Sequence, residues 1–352
     1  GLWVYDLRRL ALSVWVMAAM LRDGNLATFD PTTLSGQVAV GYAEEIASMR
    51  SGQPPLAIRD GAEFGAIIDD LLRRAQRDGE ILEELDDYTR IEGDTRVMFY
   101  GTVEERSAPD VIGDEVFSLS AEEEAIVRLG LVHYPDTLEV QVSPESMALK
   151  GASRRYGAGV SSYPVLRFYV LVEGPTPSPD DDWLLEFKEI NNPNLLPGLV
   201  QWPPRRFRHN GERVVSHQRA LQESRLNDPL LGHYEAGPIP IRVRHRTKYQ
   251  KGIGVDRIME KLSEGEWSEE DIRAFVRLSG RLLARTHGQA KTLNGQEALA
   301  VIAETLEGQS GTLETETAQF LETYGPATLE DAARLDAIVT EHGPLLGYRR
   351  GP

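Results

Sequence analysis

Apolar residues recur at helical spacing through the first part of the chain and again toward its end, while the middle alternates as strands do. The run Leu10 to Leu21 follows Arg8 and Arg9 and stops at Asp23-Gly24. It predicts a buried helix and not a membrane span, which needs about 20 apolar residues. Gly36 to Arg50 and Glu63 to Arg77 repeat the helical pattern on either side of Pro54-Pro55. Farther on, Arg96 to Tyr100 has strand-like side chains and Glu122 to Leu131 reads as a short acidic helix.

The character changes at Lys150, the first lysine of the chain. Arg154 to Ser162 is a glycine-containing loop leading into Pro164 to Val172, rich in β-branched and aromatic residues and predicted as a strand. A turn of Pro, Ser and Asp residues separates it from a second strand, Trp183 to Ile190. Asn191 to Asn210 holds Pro193, Pro197, Pro203 and Pro204, which excludes a regular helix or a central strand. Gly211 to Glu223 returns to helical spacing. Ile239 to Arg246 alternates, with Ile241 and Val243 on one face and Arg242 and Arg244 on the other. Helices are predicted over Asp256 to Leu262, Ser268 to His287, Gln296 to Glu307, Glu314 to Tyr324 and Leu329 to Glu341. The pattern is that of an α+β protein in three segments: 1–149 mainly helical, 150–250 a glycine loop with an antiparallel sheet, and 251–352 helical.

Composition narrows the function classes. The chain has 352 residues, 41% hydrophobic and 26% charged, which suits a globular protein with a sizeable core. With 55 acidic against 38 basic residues the net charge is −17, which repels nucleic acid backbones. Cysteine is absent, so thiol chemistry, disulfides and cysteine-based metal sites are excluded. His209, His217, His233 and His245 are too irregularly spaced for a metal motif, and no metal ligands are expected from this chain. The first residue is Gly1 and Asp6 sits where a basic leader region would be, so no targeting segment or membrane partner is expected and the cytoplasm is the default location.

Gly157-x-Gly159 precedes a strand and not a helix, which argues against a dinucleotide fold or a P-loop. A glycine loop between strands, with a lysine on the next strand, is how kinase-like folds cover a nucleotide and place an ammonium on its phosphates. Lys188 fits that role, since it stands in an apolar strand with its nearest lysines at Lys150 and Lys248. The alternative is that strand alternation puts Lys188 on a solvent face with Glu186. A carboxylate from the following helix would complete the site, and Glu212 and Glu223 are the candidates, Glu212 being equally placed to cap that helix. Arg205, Arg206 and Arg208 near Trp202 and Phe207, and Arg242, Arg244, Arg246 and Lys248, are either solvated faces or anion contacts. His287-Gly288-Gln289 imitates a kinase catalytic loop, but a glutamine cannot take a proton from a hydroxyl, and His287 reads as a helix-end residue.

Tyr5-Asp6-Leu7-Arg8-Arg9-Leu10-Ala11 with Ser13, Gly41-Tyr42, the loop Gly157 to Ser162, Leu185 to Glu189, Arg213-Val214-Val215 with Gln218-Arg219 and Gln222, Asp256-Arg257 and Leu283-Ala284-Arg285 together resemble one family, the bacterial proteins grouped as domain of unknown function 2252. The resemblance implies a protein-kinase-like fold in permuted order: a small antiparallel-sheet lobe, a mainly helical lobe, and a catalytic loop and Asp-rich metal segment that would precede Gly1. It further implies ATP and magnesium as cofactors. Gly157, Gly159 and Ser161 would cover the phosphates, Lys188 would pair with them and Glu212 would orient Lys188. Asp6 matches an aspartate just beyond the metal segment that looks structural. The chain departs from the family at Val160-Ser161-Ser162-Tyr163, where a later glycine is usual. The expectation is a phosphotransferase of unknown small-molecule or protein acceptor, inactive as this chain alone. The alternatives are a kinase-shaped binding or scaffold protein without catalysis, and an unrelated α+β enzyme with a carboxylate site, although no spacing singles out a carboxylate pair.

Overall fold

A computed structural model describes residues 3–80, 82–99, 115–156, 165–191, 207–221, 228–290 and 297–342. The chain is mixed α+β and divides into two compact units, one made of residues 1–75 and 251–343, the other of residues 76–250 and 344–352. Among the described residues no helix is long and apolar enough to cross a membrane.

The first unit is helical. Helices α1 (Trp3–Asp23), α2 (Pro31–Arg50) and α3 (Ala66–Glu80), which carries the chain out of the unit, come from its early segment. Helices α7 (Val255–Ser263), α8 (Glu269–Gly288), α9 (Ala298–Leu306) and α10 (Ser310–His342) come from the late one. Asp30 starts α2 by accepting from the Thr33 backbone N–H at 2.7 Å ahead of Pro31, whose fixed φ suits a first helical turn. Ser268 and Asp271 form a reciprocal capping box at the start of α8. Leu7, Trp15, Leu34, Val38, Tyr42, Ile272, Val276 and Leu321 are among the buried residues of its core. α2 and α8 approach so closely that a Cβ on Gly41 would overlap the Arg277 carbonyl oxygen, and one on Gly280 the Val38 carbonyl oxygen. The two glycines are reciprocal, each leaving room for the other helix's backbone.

The second unit is built on a six-stranded antiparallel sheet: β3 (Glu115–Phe117), β4 (Leu149–Tyr156), β5 (Arg167–Val172), β6 (Trp183–Glu189), β7 (Gly232–Ala236) and β8 (Ile239–His245). Its spatial order is β3-β4-β5-β6-β8-β7, so β8 pairs with β6 although β7 lies between them in sequence. The short hairpin β1 (Thr89–Glu92) and β2 (Thr95–Met98) follows helix α4 (Glu83–Tyr88). Helix α6 (Asn210–Leu221) is inserted between β6 and β7. Phe168, Val170, Leu185, Phe187, Ile241 and Val243 face one side of the sheet and form a core with Val127 of α5 (Ala121–His133). Gly130 of α5 rests on the rings of Tyr234 and Phe187, where a Cβ would come within 2.5 Å of the Tyr234 ring. On the other face Tyr169, Leu171 and Leu184 are covered by Leu85, Met98, Val116 and Tyr88.

Candidate functional site

Alternation along β6 puts Leu184, Glu186 and Lys188 on the face opposite Phe187. The ladders then decide which residues join them. Lys188 lies directly across from Arg167 on β5 and from Arg242 on β8, and Glu186 lies across from Tyr169 and Arg244. Directly opposed residues of an antiparallel pair share a face with Cβ atoms about 5 Å apart. Four cations, Arg167, Lys188, Arg242 and Arg244, therefore converge on the part of this face that holds Glu186.

That carboxylate is buried, with Glu186 only 1% exposed. Arg244 Nε donates to its Oε1 at 3.0 Å, Arg242 donates to the same oxygen, and Arg167 lies 3.8 Å from Oε2. Burial alone would raise the Glu186 pKa, but Arg244, Arg242 and Arg167 overcome it and pull the group down to about 2. Lys188 is half-buried, and its pKa is lowered first by burial and then by Arg167 and Arg242. Strand alternation does place Lys188 with Glu186, yet the buried carboxylate shows that this part of the face is not simply solvated. Nε of Arg242 is buried and has no hydrogen-bond acceptor among the described residues. Asp228, near Arg244 and Arg242, is pushed up to about 6 by burial.

The rest of the basic stretch is neutralised locally. Arg246 donates to Glu84, and Lys248 lies 2.8 Å from Asp87 and 3.6 Å from both Glu83 and Glu84, all on α4. Arg246 and Arg155 also lie over the Tyr169 ring, and Tyr88 meets that ring edge-on at 4.7 Å between centroids.

The remaining sequence candidates are placed as follows. Gly157, Gly159 and Ser161 lie outside the described residues, in the connection between β4 and β5, as do Arg205 and Arg206. Glu212 sits in the first turn of α6, where its carboxylate accepts from the Arg208 backbone N–H at 2.6 Å. Burial would raise its pKa, but that hydrogen bond and the Arg208 charge lower it. His233 lies close enough to Glu212 for its ring, when protonated, to lower that carboxylate further. His233 itself packs edge-on against His209, with ring centroids 5.0 Å apart, and is lowered to about 4 by burial. In the helical unit, Asp6 lies 3.5 Å from His287 Nε2, and Nδ1 of that ring is 2.9 Å from the Tyr42 hydroxyl, itself buried under the Trp3 ring. The His287 contact lowers the Asp6 pKa. Gln289 caps the end of α8. Among the described residues no cluster of three His, Asp or Glu side chains forms a metal site.

Arg167 was not singled out by the sequence, and the convergence of Arg242 and Arg244 on Glu186 was not legible there either. The available signal was the shared parity of Glu186 with Lys188 and of Arg242 with Arg244; the missing information was that β6 and β8 are neighbours. Residues 1–336 match the family described as an uncharacterized protein conserved in bacteria (DUF2252). No curated protein and no solved structure matches the chain.

Proposed function

Since the chain belongs to that bacterial DUF2252 family, we propose that it is a kinase-like protein that holds the phosphates of ATP or a similar nucleotide and, with a catalytic loop supplied, transfers a phosphoryl group to an unidentified acceptor. The observation that carries this reading is the position of Lys188. It stands on β6, the strand after the β4–β5 pair whose connection contains Gly157 and Gly159, and α6 is the next described helix in the chain. Protein kinases use the same sequence of parts: a glycine loop over the phosphates, a lysine on the next strand, and a helix after it that offers a carboxylate. The three arginines beside Lys188 supply further positive charge for an anion in a chain whose net charge is −17.

Magnesium, which the family resemblance implies, would neutralise phosphate charge when bound, and among the described residues no cluster of three His, Asp or Glu side chains is placed to hold it. Lys188 and the arginines would bind and orient the phosphates; the proton of the acceptor would be taken by a base that the resemblance assigns to a catalytic loop. A kinase-shaped protein that binds without transferring is the second reading, favoured by Val160-Ser161-Ser162 where the family tends to have a later glycine. Titration with Mg-ATP followed by thermal unfolding tests the binding: the midpoint rises for the chain and not for Lys188→Ala. An unchanged midpoint in both proteins overturns the nucleotide reading. Phosphate release measured alongside separates transfer from binding alone.

A further inference from the structure

The cationic face also indicates which part of a nucleotide it would recognise, an inference that rests on the nucleotide reading above. Two strips share this face of the sheet. One strip is aromatic and apolar, made of Tyr169, Leu171 and Leu184, and all three are at most 2% exposed. It is closed by the chain's own Leu85, Met98, Val116 and Tyr88, with Arg155 and Arg246 over the Tyr169 ring. A base that stacks on this part of the sheet would have to displace Tyr88. The other strip is charged: Arg167, Lys188, Arg242 and Arg244 stand around Glu186, with Asp228 near Arg242 and Arg244.

The charged strip has features of a preformed anion site. Its cations Arg167, Lys188 and Arg242 stand on directly facing ladder positions, where facing like charges repel and a bound anion relieves the repulsion. The buried Nε of Arg242 has no acceptor among the described residues, which is a donor left for a ligand oxygen. Guanidinium groups suit phosphate oxygens because they donate in a planar fork. The site is also held from below, since Glu186 fixes Arg242 and Arg244 before any ligand arrives.

We propose that this face recognises the phosphate chain of its ligand and not the base, so that ATP, GTP and inorganic tripolyphosphate all bind on Arg167, Lys188, Arg242 and Arg244.

Isothermal titration of the chain with ATP, GTP, tripolyphosphate and adenosine, at fixed ionic strength, tests this without any variant. The expected result is affinities for the three triphosphates within about fivefold of one another and no heat from adenosine. ATP binding tighter than tripolyphosphate by about tenfold or more, or competition by adenosine, would overturn the inference and leave the nucleotide reading standing. No binding by any triphosphate would overturn both. Sulfate competing as well as tripolyphosphate at equal ionic strength would show a general anion effect and also overturn the inference. Lys188→Met and Arg167→Met, which leave Arg242 and Arg244 on Glu186, locate the site: each is expected to weaken all three triphosphates alike by about tenfold, the loss of one charge-assisted contact. Unchanged affinity in both variants, with far-UV circular dichroism showing an intact fold, would place the ligand elsewhere.

Discussion

Arg242 stands directly opposite Lys188 in the β6–β8 ladder, while Arg167 stands opposite the same lysine in the β5–β6 ladder. Three cations in one row across three strands oppose folding, because facing like charges destabilise a sheet. Glu186, one step along β6 on the same face, provides the compensation, with Arg242 and Arg244 on one oxygen and Arg167 near the other.

Removing that carboxylate's charge should therefore be costly out of proportion to the change in shape. Glu186→Gln is expected to destabilise the sheet unit by about 3–5 kcal/mol, the penalty for leaving buried charges without their partner. Urea unfolding monitored by fluorescence measures it. Tripolyphosphate should recover more stability in Glu186→Gln than in the unmodified chain, since an added anion replaces the lost one. A loss under about 1 kcal/mol would mean that the arginines are solvated in the folded state.

Acid should weaken the same unit in two stages. His233 and His245 are both lowered by burial to about 4, so below the ordinary value of 6.5 the unfolded chain binds protons that the folded one refuses. Stability is then lost as the pH falls from 6.5 to 4. Asp228 opposes this, because burial raises it to about 6 and the folded state takes its proton first, gaining stability as the pH falls from about 6 to 3.8. Glu186 is the later stage: its contribution is complete above 4.5 and disappears as the pH approaches 2. Asp228→Asn discriminates among these groups. It is expected to raise stability at pH 7 by on the order of 1–3 kcal/mol and to give little at pH 4, where the wild-type carboxyl is already protonated. Urea midpoints at the two pH values provide the comparison, and an equal effect at both would remove Asp228 from the account.

In the helical unit, Gly280→Ala should be severe and Gly36→Ala mild. A methyl at Gly280 meets the Val38 carbonyl oxygen, which is backbone and cannot rotate aside, whereas at Gly36 its nearest neighbour is the Glu314 side chain at 3.8 Å. Overpacking of this kind costs about 1–3 kcal/mol or more, while alanine for glycine inside a helix gains up to about 1 kcal/mol. Thermal unfolding of the two variants should move in opposite directions; a common direction would mean that α2 and α8 can separate without penalty.

Strands β5, β6 and β8 were legible because β-branched and aromatic residues alternate with charge, as at Ile241-Arg242-Val243-Arg244. Apolar spacing predicts α2 only from Gly36, whereas the helix begins at Pro31, where the Asp30 side chain accepts from the Thr33 N–H; that start is signalled by a cap and a proline and not by apolar periodicity. The two helices expected over Glu314 to Tyr324 and Leu329 to Glu341 are one, α10, which runs through Pro326. Strand β7 gave little signal, since Gly232-His233-Tyr234-Glu235-Ala236 is short and carries few strand-favouring residues. The candidate site fared likewise. Lys188 could be singled out within its own segment, but Arg167 and Arg242 join it only through pairings that sequence order does not express. Gly157, Gly159 and Ser161 lie outside the described residues.

The discontinuity of the helical unit sets the order in which the chain can fold as it is made. Helices α1 and α2 are synthesised well before α8, yet α2 packs its Gly41 and Val38 against α8, which follows residues 76–250 of the sheet unit. Domains generally form as soon as their residues are available. All strands of the six-stranded sheet are made by His245 and so can pair while Leu34, Val38, Tyr42 and Ile46 still await their partners. The apolar faces of α1 and α2 therefore lack their α8 and α10 partners throughout synthesis of the segment between, which makes them a stretch for chaperones to cover.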